Sequence, residues 1–377
     1  MQYTRVVAGL VVLCGTLSAC VEMGLAFGDA NSIIVAVPNE LWETARDDIK
    51  SSLEPTVYTV ANEKAFTVTQ VDPREATWGN MSKFKQVLVI GSENDPWVLS
   101  ALAERDDKEP LSPPEVFQVR DVWAKSQLVT VALLNDGEPL PQIRRLLPSL
   151  AEQFDEQYRD YVLSRMFTSG ENSALSDSLY AQVGFGISIP MVYQWRTEDS
   201  VYVFRNDNPD PSELIRQIAV AWMSPIPGEM GPEDLLEWRA EIVEKYYEDE
   251  QAVNLTDVKG GPGRFQGRDA YEIQATWETP PGGWPAGGPF ILRAIRCEDG
   301  QEPGDEAEAA MGDADPAMGE EQSAMGEEAA MGEAVPGRLY LLDAWLYAPG
   351  KEKYEYMIQL ENIVDSFRCR DLSQAAM

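Results

Sequence analysis

Ser82 and Lys85 have the S-x-x-K spacing at which a lysine on the same helical face activates a hydroxyl for acyl transfer. The companion S-D-N and K-T-G motifs are missing, and the apolar run Val87 to Ile90 follows at once, so the pair is read as non-catalytic. Asn206, Asn208 and Asp210 imitate the first oxygens of a calcium loop. That loop needs a glycine at its sixth position and a bidentate acid at its twelfth, where this chain has Pro211 and Gln217. Asp210, Pro211 and Glu213 instead have the chemistry of a helix start, which predicts a helix through Met223. Histidine is absent, which excludes a His-based triad or zinc centre. With 63 acids, a carboxylate pair for glycoside cleavage stays open, but only spatial separation identifies one. No catalytic residue, metal ligand or cofactor is assigned.

The cysteines carry more information. Leu17, Ser18, Ala19 and Cys20 close an N-terminal stretch in which Arg5 supplies a positive charge and Val6 to Gly15 an apolar run too short to span a bilayer. This resembles the lipobox of bacterial lipoproteins. The resemblance implies removal of residues 1–19 and acylation of Cys20 with diacylglycerol and a palmitate-type chain, so that a lipid membrane is the first expected partner. An ordinary secretory signal cut nearby is the alternative. Val21 and Glu22 follow, and the aspartate that often retains such proteins in the inner membrane is absent, which favours the outer membrane, facing the periplasm. Each buried methylene contributes about 0.8 kcal/mol, so two or three acyl chains hold the protein durably. Cys14 leaves with the signal, and Cys297 and Cys369 remain. In an oxidising compartment they are expected to form a disulfide, closing a loop of about 70 residues and stabilising by about 4 kcal/mol in the chain-entropy model. Two unpaired thiols are the alternative, since pairing needs alpha carbons within about 7 Å.

The net charge is −33, from 63 acidic against 30 basic residues, and its field repels nucleic acid. Arginine outnumbers lysine, and an acidic, lysine-poor surface fits adaptation to high salt, where ions screen the self-repulsion. An acidic insert on an ordinary protein is the alternative.

The length and the 44% hydrophobic content predict two α+β domains with mainly antiparallel or mixed sheets. A lipidated tether spans 20–30. A first domain spans 31–168, with strands at Ile33 to Val37, Phe66 to Val71 and Val87 to Ile90, and a helix capped by Asn39. A helix at Pro96 to Ala103, a hairpin of Val116 to Val122 with Leu128 to Leu134, and a long closing helix from Pro141 complete it. Polar residues 169–179 read as a linker. A second domain spans 180–373, with a helix at Glu233 to Tyr247, strands at Arg264 to Gln266, Ala270 to Glu278, Phe290 to Cys297 and Leu339 to Ala348, and a last helix from Lys351. Residues 298–338 form a low-complexity acidic insert in which Met311, Met318, Met325 and Met331 are each followed by glycine and an acid. Glycine and like charge both oppose helix, so disorder is expected, with partner or cation binding set against a merely tolerated insertion.

Two loops are candidate binding sites. One joins Arg120, Asp121, Trp123, Lys125 and Gln127 at a hairpin turn, where a polar ligand site competes with a tryptophan that simply covers a core edge. The other runs through Trp277, Glu278, Pro280, Trp284, Gly287 and Gly288, where glycines allow close approach and Trp284 offers a flat contact to an envelope protein or ligand. A hairpin loop that folds its tryptophan back is the alternative.

The lipobox, Asp121-Val122-Trp123-Ala124-Lys125 with Gln127, Phe185-Gly186-Ile187 with Pro190, Gly287-Gly288-Pro289-Phe290, and Leu346-Tyr347-Ala348-Pro349-Gly350-Lys351 together resemble a family of Bacteroidetes-type lipoproteins known as domain of unknown function 4837. That resemblance implies an envelope address and no activity. Pro190 with Trp195 and the ending Ser366-Phe367 are similar to the α/β/α sandwich of the PsbP and Mog1 group, which implies a non-catalytic binding or assembly module. A carboxylate-dependent hydrolase of cell-wall or sugar substrates is the alternative.

Overall fold

The computed structural model describes residues 23–60, 63–107, 109–228, 230–298 and 335–370. Cys20, the N-terminal segment read as a signal and nearly all of the acidic insert lie outside them. The fold is α+β, and the chain divides into two units, Met1–Asp48 with Val68–Leu146 and Ile49–Thr67 with Leu147–Met377.

The elements in chain order begin with β1 (Ser32–Ala36), α1 (Asn39–Leu53), β2 (Thr56–Val57), β3 (Glu63–Lys64), β4 (Thr67–Val71) and α2 (Trp78–Met81). They continue with β5 (Gln86–Ser92), α3 (Pro96–Ala103), β6 (Glu115–Arg120), β7 (Leu128–Leu134) and α4 (Pro139–Met166). The first unit carries a five-stranded sheet in the order β4-β1-β5-β7-β6, with β1, β5 and β7 parallel and β6 antiparallel. Parallel strands covered on both faces read as unbroken apolar runs, which is why Ile33 to Val37, Val87 to Ile90 and Leu128 to Leu134 stand out in the sequence. Trp97, Val98 and Ala101 of α3 close one face over Ile34, Val87, Val89 and Val131.

The later elements are α5 (Ser173–Gln182), β8 (Phe185–Gly186), β9 (Gln194–Glu198), β10 (Val201–Asn206), β11 (Ile215–Met223), α6 (Pro232–Tyr246) and β12 (Ala252–Phe265). After them come β13 (Arg268–Glu278), β14 (Gly287–Glu298), β15 (Gly337–Tyr347), α7 (Tyr354–Asp365) and β16 (Arg368–Cys369). A seven-stranded antiparallel sheet in the order β12-β13-β14-β15-β11-β10-β9 forms the second unit's centre. On one face Leu179 of α5 and Leu360, Ile363, Val364 and Phe367 at α7 pack on Phe204, Ile218, Val220, Tyr340 and Leu342. On the other, Leu235, Trp238, Ile242 and Tyr246 of α6 recur at helical spacing and pack on Ile215, Ala219, Phe290, Leu292 and Trp345. Pro232 at its first position and Asp234, accepting from the Gly231 N–H at 2.8 Å, fix where α6 begins. The strands flanking the acidic insert pair directly, Glu298 opposite Gly337.

The structure corrects several expectations. The segment read as a linker contains α5, because the Asn172 side chain caps it by accepting from Leu175 N at 3.3 Å and Leu179 is buried. The helix expected through Met223 is strand β11. The cap-like residues close one turn only, with Leu214 N donating to Asp210 O at 3.0 Å, after which nine residues pair with β10 and β15. Residues Ile49–Thr67 fall with the second unit, where Phe66 packs edge-on to Tyr158 at 5.6 Å and Glu63 accepts from the Lys353 N–H at 2.7 Å. Strand β12 is far longer than the three residues expected, and β9 has no counterpart among the expected strands, because both are polar enough to lack an apolar period.

Candidate functional site

At the β10–β11 end of the large sheet, side-chain alternation along β11 decides what each face receives. Ile215 and Ala219 face α6, whereas Arg216, Ile218 and Val220 face α7. Arg216 lies on the wall of a cavity of about 660 Å³ that is also lined by Arg165 of α4, Tyr193, Asn206, Glu355 and Gln359. Its Nη1 donates to Gln359 Oε1 at 2.7 Å, its Nη2 donates to Asn208 O at 3.4 Å, and its guanidinium lies 5.6 Å from the Tyr356 ring centre. Its Nε is enclosed and has no partner among the described residues. The Tyr193 hydroxyl is also enclosed and unpaired, in a side chain only 6% exposed. Burial pushes that phenol up to about 12, against the opposing pull of Arg216, so it stays a neutral donor at ordinary pH. Arg165 bonds the Tyr161 hydroxyl, with its guanidinium 5.3 Å from that ring centre. Two guanidiniums, one carboxylate and unpaired donors make a setting for a small anion.

The calcium-like oxygens are occupied locally. Asn206 Oδ1 accepts from Asn208 N at 3.1 Å and Nδ2 at 3.0 Å, while Asp210 Oδ1 accepts from Ser212 N at 2.9 Å and Oγ at 2.6 Å. Among the described residues no cluster of His, Cys, Asp or Glu could hold a metal ion.

The two loops singled out in the sequence have different fates. In the first, Gln127 is buried and its amide donates to Phe84 O at 2.7 Å and to Ser82 O, while its oxygen accepts from Trp123 N at 2.9 Å. Asp121 adopts φ 58° and accepts from Gln127 N at 3.3 Å, and Lys125 exchanges backbone bonds with Gly24 and Ala26 at 2.8 and 2.9 Å. Trp123 packs edge-on to Trp78 at 5.0 Å. The polar groups thus fasten the segment before β1. Arg120, at the end of β6, is exposed. In the second loop Trp284 is 82% exposed, but Gly287 and Gly288 belong to β14, opposite Glu278 and Trp277. A Cβ on Gly288 would stand 1.7 Å from Leu346 O, so this glycine admits the close approach of the neighbouring strand. Trp284 borders a second cavity, of about 390 Å³, on the α6 face. Sequence reasoning missed Arg216, Tyr193 and Arg165. The only available signal was an arginine within an apolar strand run.

Cys297 of β14 and Cys369 of β16 are joined as a disulfide, with alpha carbons 6.1 Å apart. The bond ties the short β8–β16 ribbon to the large sheet.

These features define an α+β protein with a ligand-sized, arginine-lined cavity and no assigned chemistry. Residues 26–166 match the family described as Domain of unknown function (DUF8532). This overturns the expected kinship with domain of unknown function 4837: the matching family is a different one, and three of the five quoted motifs lie beyond residue 166. No curated protein matches the chain. Among solved structures, cyanobacterial PsbP (CyanoP) from Synechocystis sp. PCC 6803 is similar at 12% identity and a TM-score of 0.26, covering 49% of this chain and 86% of that one. LpqN of Mycobacterium tuberculosis, involved in cell envelope biogenesis, is similar at 10% identity and a TM-score of 0.25, covering 48% of this chain and 79% of that one. Human STARD10 is similar at 10% identity and a TM-score of 0.17, covering 54% and 74%. Likenesses of this size carry no argument about function. Among the described residues no helix is long and apolar enough to cross a membrane.

Proposed function

We propose that this chain is a lipid-anchored, non-catalytic binding module of the cell envelope whose second unit holds a small carboxylate- or phosphate-bearing ligand between α7 and β11. The observation that carries the ligand reading is the pair of enclosed, unpartnered donors on one cavity wall, Arg216 Nε and the Tyr193 hydroxyl. A buried donor without a partner costs about 1–3 kcal/mol, and a bound oxyanion removes that cost. Arg165 adds a second positive charge at the rim. The lipobox ending at Cys20 supports the anchor, and Val21 with Glu22 supports an outer-membrane address facing the periplasm.

The hydrolase alternative needs a poised acid, and among the described residues burial raises one carboxyl. Glu361 is the carboxyl that burial raises, but it is bonded to Arg159 at 2.8 Å and opens on a recess of about 60 Å³, too narrow for a sugar ring.

Calorimetric titration of the full chain with phosphate and with short dicarboxylates, at matched ionic strength, tests the ligand reading. Saturable binding that Arg165→Gln weakens by about tenfold is expected. No saturable binding by any of these anions, or equal binding by the variant, overturns it. For the anchor, Cys20→Ser is expected to abolish labelling by radioactive palmitate and to release the protein from membranes. Unchanged membrane partition of that variant overturns the anchor alone.

A further inference from the structure

We propose that the cavity on the α6 face is a second, independent site, which takes a quaternary ammonium ligand carrying an oxygen acceptor a few bonds from its charge. Three strand ends and three loops build it. Trp277 of β13 and Trp345 of β15 stand edge-to-face with ring centres 5.3 Å apart, and Tyr347 lies 6.4 Å from Trp277. Trp284 comes from the β13–β14 loop, and Glu248 and Glu250 from the segment after α6. The intervening Asp249 is engaged by Arg205 at 3.0 Å, whereas the two glutamates make no bond to any described residue.

Each part points to the same ligand chemistry. Aromatic faces attract a cation through the ring quadrupole, and a methylated ammonium is poorly hydrated, so it prefers such a box to water. Two free carboxylates raise the local concentration of cations, reinforced by a chain whose net charge is −33. The Trp345 indole N–H is the independent observation. The side chain is wholly buried on the cavity wall, and this N–H has no acceptor among the described residues. A ligand hydroxyl or carboxylate supplies the missing acceptor. Trp284, 82% exposed, borders the cavity and is placed to cover the ammonium once it enters. This reading does not depend on the anion cavity, which lies on the opposite face of β11.

The test uses the full chain in a non-ionic detergent, with choline as the probe and 3,3-dimethylbutan-1-ol as its uncharged isostere, at matched ionic strength. Tryptophan fluorescence and calorimetry are expected to show saturable choline binding, with the isostere weaker by about tenfold. Trp284→Ala is expected to weaken choline by about tenfold with the melting temperature unchanged, because the removed side chain is 82% exposed. Glu250→Gln is expected to weaken it by about threefold. Equal binding of the isostere shows an apolar pocket only, preferential binding of a neutral oligosaccharide shows a sugar platform, and unchanged affinity of Trp284→Ala shows another locus. Each of these outcomes, like absent saturation, overturns the proposal.

Discussion

The two faces of the seven-stranded sheet are built from the same strands and solve burial differently. The α7 face is an apolar cluster around Phe185, Phe204 and Phe367. The α6 face holds an ion pair at its centre: Arg239 and Asp343 are 0% and 1% exposed, with Nε donating to Oδ1 at 2.9 Å. Tyr247 donates its hydroxyl to the other Asp343 oxygen at 2.6 Å, Arg239 Nη2 donates to Gln251 Oε1 at 2.6 Å, and the guanidinium stands 4.0 Å over the Phe290 ring centre. A buried pair of this kind recovers its desolvation cost only through such added bonds. The lesson is that one face gains its stability from area, whereas the other makes stability conditional on every partner being present.

Breaking that condition gives the largest expected effect. Arg239→Met leaves Asp343 charged and stranded, and urea unfolding is expected to show a loss of about 3–5 kcal/mol. The double variant Arg239→Met, Asp343→Leu is expected to recover most of it. If the double variant is as unstable as the single, the contrast between the faces fails.

The disulfide anchors the apolar face. Cys297→Ala and Cys369→Ala are each expected to cost about 2–4 kcal/mol in the same assay, and the double variant no more than either, because both open one bridge. Additive losses would show that the cysteines act through packing.

A smaller effect is expected at alkaline pH. Tyr193 has a folded-state value pushed up to about 12 from an ordinary 10, so its contribution is complete below pH 10 and is lost as pH rises from there to 12. Tyr193→Phe is therefore expected to flatten the alkaline limb of the melting curve. At pH 7 it is expected to raise stability by about 1–3 kcal/mol, since it removes a buried hydroxyl that has no partner among the described residues.

Salt sharpens the comparison last. Surface acids repel across a Debye length of about 30 Å at 0.01 M and about 3 Å at 1 M, while the buried pair is screened little. Melting temperature is expected to rise with added NaCl by the same amount in the wild type and in the Arg239→Met, Asp343→Leu variant. It should rise by less when Glu302 to Glu333 are deleted. A flat response would remove salt adaptation as the reason for the charge.

Most of the first unit was legible because its parallel strands are buried on both faces, so Ile33 to Val37 and Leu128 to Leu134 carry the signal without alternation. Helix α3 matches its expected bounds, and α6 falls within a residue of them, because Pro96 and Pro232 mark their starts. The error at β11 has the opposite cause. Asp210, Pro211 and Glu213 are valid helix-start chemistry, but a single turn meets the same local demands, and nothing local says that β10 and β15 will flank Ile215 to Met223. Gly287 and Gly288 misled for a related reason, since close approach in a loop and in a strand calls for the same residue.

By itself the sequence determined the residue types available: no histidine, four cysteines, of which Cys20 stands in a lipobox-like setting, and a charge of −33. Those facts exclude His-based chemistry, and the charge opposes nucleic acid as a partner, without any coordinates. Only the tertiary structure decided which groups meet. Arg216 is separated by 51 residues or more from Arg165 and Gln359, Trp345 by 61 from Trp284, and Arg239 by 104 from Asp343. The period of a strand tells that neighbours face opposite ways, but which cavity each faces depends on pairing partners distant along the chain, and local sequence holds no record of them.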